Sequence, residues 1–176
     1  MKKVIFMAVL MVGALFPNGF VHAEDAKTDS DAAKYREVIQ MVRDGVAFLS
    51  EKGRDGLAEI SDPKGKWVKG DLYLFVYGMK GDERGVIIGH PRPGLLGKNF
   101  LRFRDKNGKI IAADFLRIAE SEKGEGWSQY WWPKLEGTQP ELKLTYIANV
   151  PGKDMFAGVG IYGGHTLEEV LKILEQ

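Results

Sequence analysis

Three strand-like runs follow one another in the second half of this chain: Trp127 to Trp132, Leu142 to Val150 and Met155 to Tyr162. A hairpin-like connection, Pro133 to Pro140, joins the first two. The tight turn Pro151-Gly152-Lys153-Asp154 joins the last two. Strands linked this closely pair antiparallel, since parallel pairing needs a long crossover. Two further runs, Leu72 to Tyr77 and Val86 to Ile88, flank a polar loop from Gly78 to Gly85. Helical patterns lie mostly outside this block. Tyr35, Val38, Ile39, Val42, Val46 and Leu49 recur at helical spacing and predict a long helix from about Asp31 to Lys52. Ser30 or Asp31 can cap it, Gly45 is a flaw within it, and Gly53 stands at its C-cap. A short helix is expected over Arg54 to Ile60. Another runs from Ile110 to Lys123, with Phe115, Leu116, Ile118 and Ala119 as its apolar face, ended by Gly124 to Gly126. A last one runs from Thr166 to Gln176. The expected class is α+β with an antiparallel sheet.

The N-terminus bears on the compartment. Lys2 and Lys3 precede an uncharged apolar run, Val4 to Phe16, broken by Pro17-Asn18-Gly19. Val21-His22-Ala23 then resembles a small-x-Ala cleavage site. This is the pattern of a secretory signal peptide over residues 1–23. The run is short of the roughly 20 residues that span a bilayer, and the alternative is an uncleaved anchor. Residues 24–30 read as a polar linker, and 31–176 as one domain. Cysteine is absent, so no disulfide, thiolate ligand or lipobox is available. Cleavage would leave 23 basic and 24 acidic side chains with no basic stripe. Nucleic acid is therefore a poor partner.

The chemical motifs are thin. Gly158-Val159-Gly160-Ile161-Tyr162-Gly163 matches G-x-G-x-x-G, but only 13 residues follow Gly163. The βαβ unit that makes this motif a dinucleotide site has no room to form. The alternative is a strand whose glycines admit a close neighbour. His90 and His165 each lack a second His or Cys nearby, so zinc is not expected, and no calcium-loop spacing occurs. No nucleophile elbow is present. Glu120, Glu122 and Glu125 read as a solvated cluster. No catalytic residue, metal or cofactor is assigned. His90 reads as a loop anchor or ligand contact, or else as a general base.

Trp127-Ser128-Gln129-Tyr130-Trp131-Trp132-Pro133 is the most informative stretch. Strand alternation puts Ser128, Tyr130 and Trp132 on one face, and Trp127, Gln129 and Trp131 on the other. One face packs on helices. The other either lines a pocket or is core. Lys143 and Tyr146 lie on the next strand, where a lysine faces either water or an anionic ligand.

Several segments, taken in order, resemble a known family. They are Leu72 to Tyr77, Gly89-His90-Pro91, Leu96-Gly97-Lys98-Asn99 and Asp105-x-x-Gly108 with the helix after it. Then come Gly124-x-Gly126-Trp127-x-x-Tyr130-x-Trp132-Pro133, Lys143-x-x-Tyr146, Val150-Pro151-Gly152 and Gly158 to Tyr162. Together they resemble the single Cache domain of bacterial sensors over roughly residues 30–176. The resemblance implies a PAS-like fold: a long N-terminal helix on a central antiparallel sheet, short flanking helices, and a pocket on one sheet face. It also implies binding of small organic acids, amino acids or similar metabolites outside the cytoplasm. The pocket wall it implies includes Phe75, His90, Tyr130, Trp132, Lys143 and Tyr146. Two features depart from the family. Its members usually sit between two membrane helices and feed a chemotaxis or kinase module, whereas this sequence is expected to act through a separate receptor or kinase partner. The Gly78 to Gly85 loop, with Lys80, Asp82, Glu83 and Arg84, is longer than usual.

The expectation is an exported, periplasmic or secreted domain that binds a small organic acid and is not an enzyme. The competing expectation is a ligand-free structural or protein-interaction module of the same fold. An exposed apolar stripe on the first helix, building a homodimer, would favour that second reading.

Overall fold

The computed structural model describes residues 23–175, with side chains from residue 27 onward. The signal-peptide pattern of residues 1–22 lies outside the described residues. Helix α1 spans Ala23–Lys52. It is followed by a short 3₁₀ turn and helix α2, Leu57–Ile60. Strands β1 (Val68–Lys69), β2 (Leu72–Gly78) and β3 (Ile87–Gly89) come next, then helix α3, Ile111–Ala119. Strands β4 (Glu125–Pro133), β5 (Pro140–Asn149) and β6 (Met155–Tyr162) precede helix α4, Leu167–Leu174. The sheet order is β1-β2-β6-β5-β4, with β3 also on β2, and each pair is antiparallel. The α+β class and the long helix on an antiparallel sheet are those expected.

α1 covers one face of the sheet. Val38, Met41, Val42 and Leu49 are buried there against Leu74, Val76, Tyr146 and Val159. Its apolar stripe is therefore spent inside the chain, while Lys34, Arg36, Glu37, Gln40, Arg43 and Asp44 face solvent. Gly45 is where the helix comes closest to the sheet: a Cβ there would lie 2.5 Å from Leu74 Cδ2. The flaw seen in the sequence is thus a packing requirement.

Residues 24–30 are helical and not a linker. No Gly or Pro interrupts them, and Lys27, Asp29 and Ser30 are exposed. Neither Ser30 nor Asp31 stands at the helix start. Asp31 instead accepts from Lys34 Nζ at 3.0 Å, one turn on. α3 stops at Ala119, short of the expected Lys123, where Ser121 Oγ donates to the Ile118 carbonyl. Thr166 and Glu169 form a reciprocal capping box at the start of α4. α4 joins the N-terminal part of α1 through Tyr35, Leu144 and Val170.

α3 and the segment from His90 to Ile110 cover the other face. Asp105 anchors that segment, its carboxylate accepting from the backbone N–H groups of Asn107, Lys109 and Trp131. The core here is rich in aromatic rings, with Phe75, Tyr77, Phe100, Phe115, Tyr130, Trp132 and Phe156 packed among aliphatic residues such as Ile87, Ile111, Leu116 and Ile147.

Candidate binding site

Strand parity builds the site. Tyr73, Phe75 and Tyr77 alternate along β2, and Ser128, Tyr130 and Trp132 along β4, all buried on the α3 face. Thr145 pairs with Gly160 and Ile147 with Gly158, which places Lys143, Thr145 and Ile147 on that face too. A cleft opens among Tyr73, Phe75, Tyr77, Ile87, His90, Ile111, Phe115, Tyr130 and Trp132. Phe115 of α3 stacks on Phe75 at 5.7 Å and meets Tyr130 edge-on at 5.2 Å. The cleft is narrow. About 10 Å³ is open to the centre of a water-sized sphere, room for about one water.

Lys143 is the chemical centre. It is 0 % exposed, and its Nζ makes no well-formed hydrogen bond among the described residues; Tyr73 is the polar side chain near enough to interact with it. Nζ lies 3.9 Å from the Tyr73 ring centroid and 4.9 Å from that of Tyr162. Aromatic faces attract a cation but do not replace the hydrogen bonds it gave up in water. A buried, unpaired ammonium costs several kcal/mol. Burial pulls the Lys143 pKa down; Tyr73, by charge and by hydrogen bonding, and Asp71 oppose the shift, and Arg92 adds to it.

Gly160 makes this placement possible. A Cβ there would overlap Lys143 Cε and Thr145 Oγ1, and one at Gly158 would lie 2.5 Å from Phe75 Cζ. The glycine-rich motif is therefore a strand that admits two site side chains. β6 pairs antiparallel with both β2 and β5, whereas a dinucleotide site needs a parallel βαβ unit.

His90 is 4 % exposed, edge-on to Tyr73 at 5.0 Å. The Arg92 backbone N–H donates to His90 Nδ1 at 2.8 Å, so Nε2 carries the ring proton. Burial first, then the charges of Lys143 and Arg92, push its pKa down to about 3. At neutral pH it is an uncharged donor. Burial likewise holds the Tyr77 and Tyr130 hydroxyls above their usual range, so both stay protonated. The Tyr130 hydroxyl is 3.0 Å from Thr145 Oγ1. No carboxylate lines the cleft. The arrangement offers N–H and O–H groups around one cation, which is the complement of an anion.

A family model described as a Cache domain matches residues 63–175, more than half of the chain. The chain belongs to the Cache domain family. Several solved structures share its fold. One is a periplasmic sensor domain of a chemotaxis protein (20 % identity, TM-score 0.58, covering 81 % of this chain and 99 % of that one). A second is a Cache chemosensory domain described for its recognition of carboxylic acids (21 %, TM-score 0.60, 81 % and 99 %). A third is a methyl-accepting chemotaxis protein from Vibrio parahaemolyticus RIMD 2210633 (20 %, TM-score 0.61, 77 % and 96 %).

Within this Cache domain, five of the six residues expected in the pocket wall come together. Phe75, His90, Tyr130 and Trp132 line the cleft, and Lys143 is caged beside it. Tyr146 does not join them. It stands three residues from Lys143 on the same strand and so points to the α1 face, where its ring meets Trp127 at 5.1 Å. Tyr73, Tyr77, Ile87, Ile111 and Phe115 line the cleft without having been singled out. The parity of Phe75 would have found the two tyrosines. The charged 78–85 loop does not line the cleft. Arg84 reaches Glu120, and Arg54 grips Glu83 at 2.6 and 2.7 Å.

Proposed function

We propose that this chain is an exported sensor domain that binds a small organic acid, with Lys143 as the counter-charge to its carboxylate. The observation that carries the reading is the fully buried Lys143 amine with no well-formed hydrogen bond and no carboxylate partner among the described residues. A buried unsatisfied cation calls for an explanation, and an anionic ligand supplies one. His90 Nε2–H, on the cleft wall, is the second donor within the reading. Phe75, Phe115 and Trp132 face the apolar remainder of the ligand. A free amino acid fits less well, because no carboxylate lines the cleft to receive its ammonium. The carboxylic-acid recognition described for a structure of the same fold agrees with this reading. So does the periplasmic setting described for another, together with the signal-peptide pattern of residues 1–23. Signalling would then run through a separate receptor or kinase partner. Among the described residues no helix is long and apolar enough to cross a membrane.

Calorimetric titration of the chain from Glu24 onward tests the reading, with acetate, propionate, glycine and alanine as probes. A four-heavy-atom acid is limited to about −6 kcal/mol, a Kd of tens of micromolar at best. The acids should bind at that strength or weaker, and the amino acids should not. Binding of the amino acids alone would overturn the assignment.

The narrowness of the cleft favours a second reading, a ligand-free module whose aromatic face is ordinary core. In that case none of the probes binds, and replacing Lys143 affects stability alone.

A further inference from the structure

The cleft beside Lys143 has room for about one water, so a larger ligand needs part of the surrounding wall to move. The segment between β4 and β5, residues 134–139, lies outside the strand ladder, whose last rung pairs Pro133 with Pro140. Leu135 packs inward against the aromatic cluster. Three backbone carbonyls of this connection, those of Lys134 (2.7 Å), Leu135 and Gly137 (3.4 Å), accept from one nitrogen, Nη2 of Arg92. No carboxylate pairs with that guanidinium among the described residues. The connection borders an open groove of about 620 Å³ that also meets Pro63, Val68 and Asp71, so space lies beside it, with the exposed Lys134–Asp71 pair at 3.7 Å as a second, weaker tie. Arg92 is also the residue whose backbone N–H orients His90.

We propose that Arg92 is a positioning residue that controls access to Lys143: its guanidinium latches the β4–β5 connection shut, and the ligand passes when those carbonyl bonds break. The chemistry favours release by an anion. Guanidinium bonds carboxylates more strongly than neutral carbonyls, often through two parallel N–H donors. A carboxylate arriving at the rim competes for Arg92, frees the connection and moves on to the buried ammonium. The charge of Arg92 adds, as the smallest of the contributions, to the downward pull on the Lys143 pKa.

The ligand role rests on the binding reading, but the latch is measurable without ligand. Reductive methylation with formaldehyde and cyanoborohydride, read by mass spectrometry, reports the access of reagent to Lys143, with exposed Lys64 as internal reference. In the native chain Lys143 should label far more slowly than Lys64. Arg92→Ala should speed labelling at Lys143 by about tenfold or more, the change expected for loss of charge-assisted hydrogen bonds. Arg92→Lys, which keeps the charge but not the fork, should fall between. Circular dichroism confirms folding, and Arg92→Lys decides the matter if Arg92→Ala does not fold. A native-like variant that labels Lys143 at the native rate would overturn the proposal, as would native Lys143 labelling as fast as Lys64. A chain that binds no small acid yet shows Arg92-dependent labelling keeps the latch and loses the binding reading; acid binding with Arg92-independent labelling does the reverse.

Discussion

At the scale of single residues, the site is one cation made tolerable by its neighbours. Gly160 gives the Lys143 stem its path. Gly160→Ala should displace that stem, weaken acid binding at least about tenfold and cost about 1–3 kcal/mol of stability through overpacking. Titration together with urea unfolding reads both effects. His90 carries a pH signature. Its folded pKa of about 3 lies below the unfolded value of about 6.5. Its contribution to stability is whole above about pH 6.5. As pH falls the unfolded chain takes up a proton that the native chain refuses, and stability drops by up to about 1.4 kcal/mol per pH unit. Unfolding free energies measured between about pH 6.5 and 4.5 should fall less steeply in His90→Asn, whose amide oxygen can still accept from the Arg92 N–H. An unchanged slope would show that His90 titrates normally in the fold.

Much of this was legible from residue type and order. A lysine on an aromatic-rich strand and a histidine before Pro91 stood out, and both reach the site. Tyr146 was misplaced because membership was carried over by resemblance, where an odd spacing from Lys143 already set it on the other face. Arg92 gave no sequence signal. Its partners are backbone carbonyls about 43 positions away, and a carbonyl has no side-chain identity to read.

At the scale of elements, periodicity did most of the work and boundaries were where it failed. The α1 stripe and the β4 alternation are both found as read. The helix over 24–30 was missed because a polar helical stretch has the composition of a linker. β1, two residues long, is too short to carry any period. Gly45 shows tertiary packing overriding local propensity. On propensity alone, Gly45→Ala should stabilise a helix by about 1 kcal/mol. Because its Cβ would press into Leu74, the substitution should instead destabilise the chain by about 1–2 kcal/mol net. Equilibrium urea unfolding gives the sign directly, and a stabilised variant would mean that α1 can lift off the sheet at little cost.

At the scale of the whole molecule, the sheet separates two jobs. α1 and α4 bury one face with mostly aliphatic packing, joined by Tyr35, Trp67 and Tyr146. The other face gathers most of the buried aromatic rings and Lys143, with Leu135 of the β4–β5 connection packed against them. Placing an unpaired charge in the interior lowers stability, which is how function commonly trades against it. A bound acid would recover that loss: at a concentration 100 times its Kd, a ligand that binds only the native state adds about 2.7 kcal/mol. The measurement that bears most directly on this account is thermal unfolding of the native chain and Lys143→Met, each with and without saturating propionate. If Lys143 is held for its ligand, the apolar replacement should melt higher than the native chain when no acid is present, by the equivalent of about 1–4 kcal/mol. Propionate should then raise only the native Tm. A Lys143→Met chain that melts well below the native one, or that still responds to propionate, would contradict it.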